Sequence, residues 1–422
     1  MANNEILKGP IAPVRSREGG AGQGRFFGIL GMLAGVSFFI TIGNQMLSTM
    51  LVKLAAEFDT SVAVVGRLGA FLFFAWAAVA VVTGPLSDVL GRRPMFTFGL
   101  GLMALGVLGA GLAWNFLSLA AFCVAIGAGG AMIGPTNGAA VADLLPKSWQ
   151  GRAFGFLNAS GSMASVIGLP LVALVIADLG WRWAFWALAV ALFALLALFM
   201  ARYPRTAPRR RERGLQLEQR IVHVLRRPVL WQLYAVGFMA SSGYFLFFLY
   251  FPASLVRRFG MSEAGVSLPI ALVSLGMVVG AYLGGEVAQR RNRLQLGASS
   301  FVLSALLALA MVAAKSVEVY LALAFLFVLL QGLPFPSIVA TMNAAAGRHR
   351  AAVLGQFTAA NQFGGFLGSL VGGVIITTAG YPYLGALSAG GTVVAAATLF
   401  LLPRRRALHI PRHHPRQPRA AS

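Results

Sequence analysis

Apolar runs of about 20 residues alternate with short polar segments along this chain, and that is the length an α-helix needs to cross the hydrocarbon core of a bilayer. The runs fall near 26–50, 64–86, 94–113, 116–142, 153–177, 182–202, 229–251, 264–287, 294–314, 318–341, 352–377 and 382–402. The pattern therefore predicts an all-α polytopic membrane protein with twelve transmembrane helices. Pro135, Pro170, Pro334 and Pro336 lie inside predicted helices, where neighbouring helices compensate for interrupted backbone hydrogen bonds. The longest interruption, YPRTAPRRRERGLQLEQRIVHVLRRP over 203–228, follows the sixth run. It divides the chain into a tail (1–25), a six-helix half (26–202), a basic linker (203–228), a second six-helix half (229–402) and a basic tail (403–422). Within the linker, Leu215 to Leu225 reads either as an amphipathic surface helix or as plain solvated chain.

The two halves echo one another. At an offset of 200, Gly155, Gly168 and Gly180 fall on Gly355, Gly368 and Gly380, and Trp181 and Trp183 fall on Tyr381 and Tyr383. At 201, Phe58, Ser61, Gly84 and Arg92 fall on Phe259, Ser262, Gly285 and Arg293. Each copy contains an even number of crossings, so both run in the same direction. That predicts a parallel repeat of two halves related by an axis along the membrane normal.

Composition agrees: 58% of the residues are hydrophobic, only 11% are charged, and the mean hydropathy is +0.77. A water-soluble domain of 422 residues needs more charge to cover its surface. The net charge of +22 does not point to nucleic acid, because the basic residues sit in short clusters between apolar runs rather than on a folded face. Those clusters carry topology instead. With twelve helices, 28 of the 34 Lys and Arg residues fall on the side of the two termini, including Arg92, Arg93, Arg152, Arg290 and Arg404. The other side holds Lys53, Arg67, Arg182, Arg257, Arg258 and Lys315. Positive loops stay cytoplasmic, so both termini are predicted inside. Residues 1–25 are polar and the first run is long enough to span, so that run is expected to remain as a helix. Short loops between helices suit a multi-pass protein of the bacterial inner (plasma) membrane, and a monomer is expected.

One short stretch carries more specific chemistry. The second run ends in GPLSDVLGRRP, residues 84–94, an abrupt change from apolar to charged. Arg92 lies four residues after Asp88, within reach if the segment is helical. This stretch resembles the cytoplasmic loop motif of the major facilitator superfamily, with Gly84, Asp88, Gly91, Arg92 and Arg93 at the motif positions. The phrases AAEFDTS and LGWRWAFW, the 6+6 arrangement and the basic central loop extend the resemblance over essentially the whole chain. It implies a latch at the cytoplasmic side that holds two rocking halves together in the outward-open state, with Asp143 of ADLLP as its second acid. Val89 stands where a basic residue often follows the acid, and the second half reads GGEVAQRRNR with Gln289 in place of the acid, so an asymmetric latch is expected. Topology anchoring alone would also account for Arg92 and Arg93.

Other family signatures are weaker. Ala121, Val124 and Ala125 occupy the places of an intramembrane Arg and a Gln-Gly pair in helix 4, and IGLPLVA in helix 5 retains Gly168 and Pro170 without a following Gly pair. The phrasing of helices 1 to 6 is closest in flavour to efflux-type members. None of the twelve acids falls in the middle of a predicted helix, so protons are a candidate coupling ion only through acids near the two faces.

In this fold the solute binds near the midplane between the halves. By depth, the cavity candidates are Asn44, Gln45, Asn137, Ser241, Ser242, Tyr244, Gln331, Asn361 and Gln362. Each also reads as a helix-bridging polar group. Phe71, Phe73, Phe74, Trp76, Phe245, Phe247 and Phe248 are nearby aromatics that line a cavity or face lipid, and a neutral or amphipathic organic solute fits this set. The five histidines lie in loops or the tail, Cys123 is the single cysteine, and nothing resembles a nucleophile-base pair, so no enzyme activity, cofactor or metal is expected. The expected function is a secondary transporter working by alternating access, with efflux favoured. A facilitator or uptake permease, and a transport-inactive receptor or scaffold, remain as alternatives.

Reporter fusions test the topology. Alkaline phosphatase fused after Arg93 or Arg404 should be inactive, and fused after Asp59 or Lys315 active; the reverse pattern would overturn the orientation.

Overall fold

A computed structural model of the chain describes residues 20–145, 147–204, 228–290, 292–346 and 350–402. Most of the expected linker and of both tails lies outside these residues. Among the described residues, twelve helical spans cross the molecule: α1 (Phe27–Thr49), α2 (Val62–Thr83, its helix running on to Leu90), α3 (Arg92–Gly111), α4 (Phe116–Val141, its helix running on to Leu144), α5 (Arg152–Leu179), α6 (Trp181–Arg202), α7 (Pro228–Phe259), α8 (Ser267–Val287), α9 (Arg293–Ala313), α10 (Val317–Ala346), α11 (Val353–Thr378) and α12 (Tyr381–Phe400). A short helix, Leu51–Glu57, follows α1. Below, the "basic face" is the one bearing the α2–α3 turn, and the "far face" is the one bearing the α5–α6 turn.

The helices begin and end where local chemistry dictates. Ser61 caps α2 by accepting from the Val64 N–H at 3.2 Å. Asn115 and Ser118 form a reciprocal capping box at the start of α4. Gly180 and Gly380, at φ +98° and +92°, turn the chain from α5 into α6 and from α11 into α12. Only glycine adopts that conformation freely, and the two positions are repeat-related.

Proline reshapes three spans without ending them. α10 is broken at Pro334 into Val317–Gly332 and Phe335–Ala346. α5 passes through one turn of wider π-helix, Ala164–Gly168, just before Pro170. Pro252 lies inside α7, which runs to Phe259 rather than stopping near 251. Arg257 and Arg258 therefore belong to the last turn of α7 and not to a loop. Arg258 donates to the carbonyls of Met311 (3.1 Å), Val312 (3.2 Å) and Ala314, which satisfies the open end of α9.

The internal repeat is built into the packing. Gly168 of α5 meets Ile42 of α1, and Gly368 of α11 meets Ser242 of α7, 200 residues later on both sides of the contact. Likewise Gly43 packs against Leu188 and Gly243 against Ser388. Two parallel six-helix units thus share their internal crossings. Between the units, α2 packs along α11 and α5 along α8. Large side chains such as Phe98, Leu105, Leu117 and Val190 point outward from the bundle and form its apolar perimeter. Such a surface is stable only against lipid.

Close backbone approach sets the tolerance of these seams. A Cβ on Gly280 of α8 would lie 1.9 Å from the Leu329 carbonyl oxygen of α10, whereas one on Gly285 would meet nothing within 4 Å. Gly280→Ala should therefore destabilise by about 1–3 kcal/mol and lower the melting temperature in detergent, with Gly285→Ala close to wild type. Equal melting temperatures would contradict the packing.

Candidate functional site

The interface between the halves is tightest from the far face to the middle. Near the far face, Tyr250 of α7 fills the space beside Gly66 of α2, and its hydroxyl donates to the Ser369 carbonyl at 2.7 Å. Ala63 of α2 lies against Gly373 of α11. Deeper, Phe73 meets Phe245 with ring centroids 4.5 Å apart, and Phe74 meets Phe366 at 5.4 Å. At the far rim Lys53, on the short helix, pairs with Glu263 of the α7–α8 turn at 2.9 Å. That ion pair joins the two halves. Lys53 also donates to the Ile176 carbonyl at the end of α5.

Nearer the basic face, individual positions have room. A methyl group on Gly134 of α4 or Gly155 of α5 would touch nothing within 4 Å. The second segment of α10 packs against α7, α8, α9 and α11 of its own half. Phe335 at its start is about half exposed. Among the described residues, the contacts between the halves named above lie at the far face and in the middle of the seam.

The polar candidates divide between the halves. In the first half they form a track along α1. Asn137 of α4 donates to the Leu33 carbonyl (3.1 Å) and the Ser37 hydroxyl (2.9 Å). Ser160 of α5 donates to the Ala34 carbonyl at 2.8 Å. Ser165, inside the π-turn, donates to Gln45 Oε1 at 3.0 Å. Asn44 Oδ1 and Asn137 Oδ1 are buried acceptors with no donor. Sequence reasoning missed Ser37, Ser160 and Ser165, because single serines in apolar helices carry no pattern of their own.

In the second half, Gln331 of α10 is buried and donates to Thr392 at 2.9 Å. Gln362 of α11 has a buried Nε2 with no acceptor. Asn361 crowds Gly237 of α7, and Tyr244 stacks on Phe248 at 5.2 Å. Ser241 and Ser242 are half-buried on α7. Of the aromatics, Phe73, Phe247 and Phe248 are buried packing residues, and Phe71 and Phe74 are the more exposed members. The structure thus brings Gln45 and Asn137 onto one track along α1, leaves Asn44 Oδ1 without a donor, and disperses the second-half candidates over α7, α10, α11 and their neighbours.

A separate cluster forms at the basic face. Gly91, at φ +90°, ends the α2 helix and starts α3 at Arg92. The turn carries Arg92 towards α4, where its Nε donates to Asp143 Oδ2 at 3.0 Å, and its Nη1 donates to Ser87 Oγ at 2.6 Å. Arg93 donates instead to the Met200 carbonyl at the end of α6, at 2.6 Å. Gly84 and Asp88 lie on the same helix by backbone, but their surroundings lie outside the described residues. The Arg92–Asp143 pair is internal to the first half, tying α2, α3 and α4 together. Beside it, burial pushes the Tyr203 hydroxyl above its ordinary pKa; the Asp143 carboxylate adds to the rise and Arg92 opposes it. Tyr203 is therefore a neutral phenol at physiological pH.

Comparison with known proteins identifies the family. Residues 33–347 and 236–421 match the family model described as Major Facilitator Superfamily. The MFS-type transporter YwfA of Bacillus subtilis is 25% identical over 362 residues, covering 83% of this chain and 85% of that protein. A chloramphenicol resistance protein of Pseudomonas aeruginosa is 34% identical over 211 residues, 48% of each chain. A probable sugar efflux transporter of Helicobacter pylori (strain ATCC 700392 / 26695) is 26% identical over 247 residues, 58% of this chain and 61% of that one. Among solved structures, a D-xylose-proton symporter superimposes with a TM-score of 0.74 at 14% identity, covering 90% of this chain and 98% of the other. At that identity the likeness concerns the fold alone. With twelve membrane-spanning helices in two parallel halves and a family match across nearly its whole length, the chain belongs to the Major Facilitator Superfamily of transporters.

Proposed function

We propose that this protein is a secondary transporter that exports a small, neutral or amphipathic organic solute by alternating access. The observation that carries the reading is the seam between the two six-helix halves, ion-paired at the far rim and ring-packed toward the middle. Two packed units with one closed end are what a rocking mechanism requires. The excess of positive loops supports placing the basic face and both termini in the cytoplasm, in a bacterial inner membrane.

The solute class follows from the lining. Among the described residues, the polar track on α1, α4 and α5 is built of amides and hydroxyls, with spare acceptors on Asn44 and Asn137. Such a track suits a molecule offering hydroxyl or amide donors, and a multiply charged anion would find no cation there. The chloramphenicol and sugar-efflux relatives, named for solutes of that kind, support the same class. Proton coupling, in this reading, acts through carboxylates near the faces, of which Asp143 is the best placed.

At the basic face, Gly84, Asp88, Gly91, Arg92, Arg93 and Asp143 are the set that the resemblance assigns to a latch between the halves, and the described Arg92–Asp143 pair supports a role for it inside the first half as well. Arg92 and Asp143 hold the ends of α2, α3 and α4 in one rigid body, so that the first half moves as a unit. A partly exposed pair contributes only about 0.2–1 kcal/mol to stability. Asp143→Asn and Arg92→Gln should therefore accumulate and melt like wild type while losing about tenfold or more of transport, which corresponds to about 1.4 kcal/mol on the conformational step. Unchanged flux in both variants would overturn the latch.

Proteoliposomes carrying a pH gradient, with an internal pH dye and an added panel of chloramphenicol, sugars and hydrophobic drugs, test the transport reading. Proton movement that depends on one of these solutes is the expected outcome. Solute flux without proton movement would overturn coupling and leave a facilitator. Folded protein with no flux of any of them would overturn the solute class.

A further inference from the structure

A second feature of the far face is not explained by transport through the middle. Beside the Lys53–Glu263 pair lies a cavity of about 550 Å³, within the usual range of about 300–1,000 Å³ for small-molecule sites. One wall is the short helix Leu51–Glu57, which presents Lys53 and Glu57 one turn apart. The opposite wall is the α5–α6 turn, with Arg182, Trp183 and Trp186, and Glu263 of the second half closes the third side.

Lys53 and Glu57 are spaced as i and i+4, the spacing at which opposite charges on a helix ordinarily pair with each other. Here they do not. Lys53 reaches Glu263 at 2.9 Å, and Glu57 reaches Arg182 at 2.7 Å. The two pairs are thereby held apart, each with a cation and an anion, around a common opening. All four side chains retain between 28% and 42% of their exposure, so an entering molecule can reach them. The formal charge of the four is zero, which gives no preference to a net cation or anion. A molecule carrying both signs a few bonds apart satisfies both pairs at once.

The rim adds an apolar element. Trp183 and Leu179 are more than half exposed at the end of the span, the level at which tryptophans meet lipid headgroups. An ammonium also gains from an aromatic face, and guanidinium and ammonium donors suit a phosphate oxygen.

We propose that this cavity binds a zwitterionic ammonium phosphodiester, the chemistry of an ethanolamine headgroup. The phosphate faces Lys53 and Arg182; the ammonium faces Glu57, Glu263 and the Trp183 ring. Because Glu263 comes from the second half and the other residues from the first, the occupied site bridges the halves. It forms only while the far face is closed, so occupancy favours that state. The same chemistry has two sources, a membrane lipid or a free soluble headgroup.

Hydrogen exchange of residues 51–57 and 260–266 in the full chain tests this without any transport assay, so its failure is separate from failure of the exporter reading. The chain is compared in phosphatidylglycerol nanodiscs, in nanodiscs that also contain phosphatidylethanolamine, and in phosphatidylglycerol nanodiscs with glycerophosphoethanolamine in the buffer. Exchange in both segments should slow by about tenfold in the presence of the headgroup, since a ligand suppresses local opening in proportion to its occupancy. Slowing in the second condition alone identifies the lipid as the source, and slowing in both added-headgroup conditions shows that the headgroup suffices. Trp183→Ala and Glu57→Gln should abolish the slowing, while Trp114→Ala, at an exposed far-face tryptophan outside the cavity, should preserve it. Identical exchange in all three conditions, or equal slowing in the cavity variants, overturns the proposal.

Discussion

Lipid offers no hydrogen bonds, and that constraint orders most of what is seen here. Every peptide group crossing the bilayer has to be satisfied within its own helix, so twelve separate rods must then find one another without hydrophobic driving force between them. What remains is close packing. Gly280 lies against the Leu329 carbonyl and Gly168 against Ile42 because only a missing side chain brings helices that near. Where the backbone ladder is interrupted, Pro334 is buried in protein, and the π-turn before Pro170 buries Ala164 and Gly168 while Ser165 bonds to Gln45.

The two halves share a scaffold and differ in what they place on it. The crossings of α1 with α5 and of α7 with α11 use equivalent positions. Yet the first half lines its crossing with Ser37, Asn137, Ser160 and Ser165, while the second uses Tyr244, Phe245 and Phe248 at comparable depth. Polar bridging along this crossing is thus weighted to the first half and aromatic packing to the second. The ionic features follow a similar logic of location. Charges gather at the two rims, where water screens them and the cost of desolvation is small, and where small changes in pairing can favour one arrangement of the halves over the other.

Much of the fold was legible along the chain because the signals are one-dimensional. A span announces itself by its length of apolar residues, and the predicted windows match the observed helices closely in number and order. The exceptions have a common cause. Pro252 reads as a terminator, but within a bundle its lost hydrogen bond is tolerated, so α7 continues to Phe259. Arg92 also reaches Asp143 of the fourth helix, a partner 51 residues away that the spacing along the chain does not announce. In the site, Asn137 and Gln45 stood out as amides in apolar runs, whereas their serine partners were indistinguishable from packing residues.

The sequence by itself determined the spans, the parallel repeat and the family, since each depends on periodicity, composition or a local motif within one stretch of chain. Tertiary structure alone decided that Lys53 pairs with Glu263 rather than with Glu57, that Asn137 turns to Ser37, and that the halves close at the far face. Those pairings join residues about 100 to 200 positions apart. Whether they meet depends on how helices pack within a half and how the two halves sit against each other, and no local pattern encodes that.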